Sequence, residues 1–355
     1  MRRHVFSLAL TLAVGLVLLS HGAASADDVF AVSGIHVDAS AASATEAQNA
    51  AIAQGRPRAW QILFRRIARA QDWPRQPMLD DAQLQRVIRG FEVSNERRST
   101  TRYVADITYR FNPDAVARVL QAAGIAYTQI QAKRVLVVPM APAYARGSAW
   151  TAALASPRFS NNVVPFSVPA GDALDQGALA ALSFDTASWA DVEPAASRLH
   201  ASEAVLMLAT PVAGHLTIVL KRLGPGQLPV KASVDVPLVQ GGVPSTYSAA
   251  ADAAVRSMEE MWKTRSAVDF SQKGRLIADV RIASLGQWGS LQTTLAAVPN
   301  VSGVTVLAMD IGEARVSLSY LGTTDQLREA LAAQGIALTN HGAEWSLSPA
   351  PVQTP

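Results

Sequence analysis

Four consecutive apolar residues, Val135, Leu136, Val137 and Val138, place the tightest constraint on this chain. Lys133 and Arg134 precede them and Pro139 follows. Without polar alternation, such a run suits a short strand buried on both faces, at the centre of a sheet with helices on either side. A second run, AVLMLA at 204–209, has the same character. The helical patterns around them, at 148–155, 188–200 and 249–263, with a loop over 169–177, predict a small α/β sheet over residues 131–270. Its antiparallel edge would be built from 216–220 and 230–236, paired across Gly224-Pro225-Gly226.

Upstream, residues 27–130 read as a compact β-α-(α)-β-β-α domain. VFAVSGIHV is a strand with Gly34 as a bulge candidate. Ser43 or Thr45 caps a helix over 44–70, in which Ile52, Ala59, Leu63 and Ile67 mark the inner face. Pro57 is expected to kink or split this helix. Gln54, Arg58, Gln61, Arg65 and Arg69 form the opposite stripe, most simply a solvated face, though the three arginines are also candidate anion or partner contacts. Residues 79–89 form a short helix. Strands over 91–101 and 102–111 follow, then a helix opened by Asn112-Pro113 and closed by Gly124.

Downstream, residues 274–345 give the β-α-β-β-α-β order of a ferredoxin-like unit. Ser284 and Thr323 or Thr324 are its helix caps, and residues 346–355, SLSPAPVQTP, are expected to be a disordered tail. The expected fold class is therefore α+β / α/β, in several small modules.

Residues 1–26 have the layout of a cleaved secretory signal: Arg2-Arg3, an apolar core over 5–19, and Ala24-Ser25-Ala26 before Asp27-Asp28. Cleavage after Ala26 and a periplasmic destination are expected. No other run is long and apolar enough to suggest a membrane span in the mature chain. Removing the signal takes away Arg2 and Arg3 but no acid, so Lys+Arg falls from 31 to 29 against 28 Asp+Glu. So small a net charge gives no global field for nucleic acid. With no cysteine anywhere, disulfides, thiolate metal sites and cysteine nucleophiles are excluded.

Chemical motifs are correspondingly sparse. There is no G-x-S-x-G elbow and no P-loop. His36, His200, His215 and His341 are scattered without metal-ligand spacing. Asp80-Asp81 and Glu259-Glu260 are adjacent pairs that do not face each other on a helix. No catalytic residue, cofactor or metal is assigned. Three functions remain, in this order: a non-enzymatic factor that binds another envelope protein, a binder of small ligands, and a hydrolase without a recognised motif. For the second, the loop beyond Val138 is the expected site, with Tyr144 and Arg146 as its polar candidates.

Two stretches resemble a bacterial exported family, domain of unknown function 2066. They are VFAVSGIHVDASAASATEAQNAAIAQGRPRAWQILFRRIA, and RYVADITYRFNPDAVARVLQAAGI followed by KRVLVVP. The resemblance covers about residues 29–140 and departs at Pro57 and in the polar segment before Trp73. The family implies no established activity, so no functional residue is carried over from it. In layout the first two domains are similar to envelope-assembly proteins such as flagellar-ring accessory proteins, which is a likeness of fold alone.

Overall fold

The computed structural model describes residues 29–141, 143–240, 242–268, 272–298, 300–342 and 344–349. The expected signal peptide lies outside them. The described residues form a mixed α+β fold with three separate sheets.

The first sheet has the antiparallel order β1-β3-β2, from Ala31–Ser40, Arg102–Phe111 and Ile88–Arg98. Its ladder shifts register between Val32 and Ile35, where Gly34 takes a φ of 70°, as a bulge requires. One face is covered by α1, Ala44–Ile67, whose Ser43 cap accepts from the Glu46 amide at 3.2 Å. Pro57 does not split this helix. The ring lacks the N–H that would bond the Ala53 carbonyl, but Pro57 faces solvent, so water can take the donor's place. On the buried side, the Tyr109 hydroxyl of β3 donates to the Ile52 carbonyl at 2.7 Å and pins the helix to the sheet. The helix also ends before residue 70, and Ala70–Arg75 forms a 3-10 turn. Next come α2, Asp81–Val87, with an Asp80–Gln83 capping box, and α3, Pro113–Ala122, capped by Asn112.

The central sheet has the order β5-β4-β6-β7-β8. Its strands are Phe166–Ser167, Val135–Met140, Glu203–Val212, His215–Leu223 and Val230–Pro237. The first three are parallel and the last three are antiparallel. Every residue of β4 is buried. Val135 and Val137 enter the core beneath α4, Ala149–Leu154, and α7, Val243–Ser266. Leu136, Val138 and Met140 enter a second core beneath α5, Ala173–Leu179, and α6, Trp189–Arg198. Each fully buried valine or leucine contributes roughly 1.5–3 kcal/mol, which is why the run carries no polar residue. Two expectations fail here. Helix α5 forms inside the stretch expected to be loop at 169–177, and α7 is longer than the pattern over 249–263 suggested.

The first core runs without a break from Val29, just before β1, to Trp262 on α7. A short linker reinforces this continuity. Tyr127 bridges Ala68 on one side and Val268 on the other, and the Ser266 hydroxyl donates to Thr128 at 2.8 Å.

The third sheet has the order β10-β11-β9-β13-β12. Its strands are β9 Lys273–Arg281, β10 Val301–Asp310, β11 Glu313–Leu321, β12 Ile336–His341 and β13 Glu344–Pro349. Helices α8, Leu285–Ala296, and α9, Thr324–Ala333, supply Trp288, Leu295, Leu327 and Leu331 to a separate core. The ferredoxin-like element order is present with one addition. Residues 346–349, expected to be disordered, belong to β13. That strand turns back from β12 and inserts between it and β9, pairing parallel to β9 and antiparallel to β12.

Candidate functional site

The loop beyond β4 brings Tyr144 and Arg146 together with an acidic–basic cluster. The Tyr144 backbone bridges to Met140. Its hydroxyl is buried without a hydrogen-bond partner, and burial raises its pKa against the opposing pull of Arg146. Arg146 lies over Gly171, where a Cβ would meet its Cγ at 2.8 Å. Beside them, Arg198 pairs with Asp172 at 3.3 Å and with Asp175, and Asp175 accepts from the Gly171 amide at 2.7 Å. The charges there satisfy one another, so the cluster ties α5 to α6 and to the loop.

The arginine stripe does not converge. Arg58 is exposed on α1. Arg65 stacks on Trp73 at 5.5 Å, beside a groove of about 610 Å³ between α1 and α7. Arg69 lies past the helix end, 3.6 Å from Asp72. Lys263 is the buried cation of this region. It donates to the Arg65 carbonyl at 2.8 Å and to Glu260 at 3.1 Å, and lies over the same Trp73 ring. Glu259 accepts from the Val163 amide at 3.3 Å, and burial raises the pKa of its carboxyl. The adjacent acids thus have separate structural partners.

Among the described residues, four strands of eight residues or more end a sheet: β1, β2, β8 and β10. β1 exposes Ser33, His36, Asp38 and Ser40, and β8 carries Lys231, Asp235 and Pro237. β2 pairs only with β3 and carries Arg89, Glu92, Glu96, Arg97 and Arg98 along its length, the charged protection usual for an edge. β10 pairs only with β11 and has no such protection. From Val301 to Gly312 its one charged residue is Asp310, and it has neither lysine nor proline. Leu307 is 51% exposed, Val306 and Met309 are also exposed, and Ile311 at the turn is fully exposed. Register shifts between Val301 and Gly303 and between Val306 and Ala308 leave two short regular runs along the edge, at 303–306 and 308–310.

Sequence reasoning missed one ion network. Glu203, at the entrance of β6, accepts from Arg222 at 3.1 Å and from both terminal nitrogens of Arg265 at 2.9 and 3.2 Å. Arg265 in turn lies 3.8 Å from Glu329 on α9. The one signal in the sequence was a carboxylate placed directly before an apolar run. The cleft around this network lies at the opposite end of β4 from Tyr144, so the pocket expected beyond Val138 has its counterpart before Val135. Among the described residues, no group of three or more His, Asp or Glu is arranged to hold a metal ion, and no helix is long and apolar enough to cross a membrane. Comparisons with protein-family models, curated proteins and solved structures found no match to this chain.

Proposed function

We propose that this chain is an exported, non-enzymatic binding factor of the bacterial envelope, and that it docks another envelope protein at the free edge of β10. One observation carries the reading: a ten-residue edge strand with exposed Val306, Leu307 and Met309 and no lysine or proline to guard it. Unprotected edges pair with added strands, in which backbone hydrogen bonds give affinity and alternate side chains give selectivity. Export is supported by the Arg2-Arg3, apolar-core and Ala24-Ser25-Ala26 pattern. Kinship with domain of unknown function 2066 belongs to the same proposal. It is supported by the run from β1 through α3 into β4 over the stretches that carry the resemblance.

The test is site-specific photo-crosslinking in cells from position 305, on the open edge. The expected result is one dominant envelope-protein adduct, lost in a Leu307→Lys, Met309→Lys double variant. No adduct above that from a control position on α8 refutes the docking edge.

A further inference from the structure

A cleft of about 330 Å³ opens where the entrances of β4 and β6 meet the last turns of α7 and α9. Val135, Val205, Met258 and Met261 give it an apolar floor, and Ala332 and Ala333 of α9 form its far wall. Its charged lining keeps a small positive surplus: Lys133, Arg222, Arg265 and Arg328 stand against Glu203 and Glu329, and Arg328 also pairs with Asp325 outside the cleft.

Glu203 occupies one terminal nitrogen of Arg222 and both terminal nitrogens of Arg265. Two buried donors on cleft-lining residues have no acceptor in the protein. They are the Arg265 Nε and the Trp262 Nε1, and the Arg265 guanidinium stacks on the Trp262 ring at 5.1 Å. Trp262 itself is 7% exposed. Buried donors ordinarily have partners. Here two neighbouring ones lack an acceptor, at a site with surplus positive charge and an apolar floor. The volume is that of a small-molecule site, and junctions between domains are where such sites concentrate.

We infer that this cleft binds a small amphipathic carboxylate. Its carboxylate is received by Arg265 and Trp262, and its apolar body lies along Val135, Val205 and Met258. Because the walls come from the central sheet and from α9, the bound ligand joins the central and C-terminal units. This inference is independent of the β10 edge.

The test titrates the mature chain with sodium octanoate, followed by tryptophan fluorescence and calorimetry. Sodium acetate serves as the head-only control and 1-octanol as the tail-only control. Saturable octanoate binding is expected in about the micromolar-to-millimolar range, with each control at least about tenfold weaker. Arg265→Gln should weaken octanoate by about tenfold or more. Ala332→Leu, at a half-exposed position, should block it without changing any charge, which keeps the test decisive if Arg265→Gln does not fold. Non-saturating octanoate, octanol binding as tight as octanoate, or unchanged binding in folded Ala332→Leu would each overturn the inference.

Discussion

Gly55 lies in the middle of a 24-residue helix, where the usual expectation is that alanine would stabilise. The structure argues the opposite. A Cβ at Gly55 would sit 2.3 Å from the Tyr109 hydroxyl oxygen and 3.0 Å from two atoms of its ring. Carbon atoms pack at about 3.5–4.0 Å, so Tyr109 would have to retreat by about 1 Å. Tyr109 is fully buried and its hydroxyl donates to the Ile52 carbonyl. Retreat therefore strains a filled core, at about 1–3 kcal/mol, and leaves a buried donor unpaired, at about 1–3 kcal/mol. Against this stands the gain from replacing a helical glycine, about 1 kcal/mol. The net expectation for Gly55→Ala is a loss of about 1–5 kcal/mol. Tyr109→Phe alone should cost about 0.5–1.5 kcal/mol, because it removes one hydrogen bond. In the Tyr109→Phe background the oxygen is gone, so Gly55→Ala should cost at least about 1 kcal/mol less there than it does in the parent. Urea unfolding of the parent, the two single variants and the double variant, with amide exchange in α1 as a local probe, measures the cycle. If Gly55→Ala stabilises the parent, or the two substitutions are additive, the close approach of helix and tyrosine is not what this glycine serves.

Three further outcomes are expected. The Glu259 carboxyl has its pKa raised by burial, so between the ordinary glutamate pKa of about 4.3 and its raised value the folded state holds more protons than the unfolded state. Stability should therefore fall as pH rises through that window, and Glu259→Gln, measured by urea midpoint against pH, should flatten the fall. Glu203→Ala leaves Arg222 and Arg265 without their shared acceptor and should cost about 2–4 kcal/mol, read by chemical denaturation; a loss below about 0.5 kcal/mol would place the network with ordinary surface pairs. Trp150→Phe removes the buried donor to the Met207 carbonyl at 3.0 Å and should cost at least about 1 kcal/mol in the same assay.

Local chemistry made much of this fold legible in the sequence. The all-apolar β4 run, the Asn112-Pro113 start of α3 and the Ser284 cap each follow from short-range rules, and the structure has them. Failures came where distant contacts decide. Pro57 is tolerated because its face is wet and its opposite face is held by Tyr109, 52 positions away. Residues 346–349 look like the start of a proline-rich end, yet β9 and β12 offer them, with 344–345, a slot between two strands. The sites show the same division. Tyr144 and Arg146 do meet, but Asp172, Asp175 and Arg198 join them from helices whose packing no spacing rule anticipates. Glu203, Arg222 and Arg265 are separated by 19 and 62 positions from acid to base. Only the β6–β7 hairpin and the path of α7 bring them to one point.

The position of β13 has a kinetic consequence. Its pairing partner Ala278 is made long before Trp345, and β13 stands between β9 and β12. Until residues 344–349 have emerged, the C-terminal sheet lacks an inner strand and β9 has an unfilled side. Non-local pairing of this kind is slow to form. A polypeptide arriving end-first, whether from a ribosome or through a pore, would carry this unit as an open sheet and close it last. The interval before closure is when β9 can pair with the wrong strand, or be held by a chaperone.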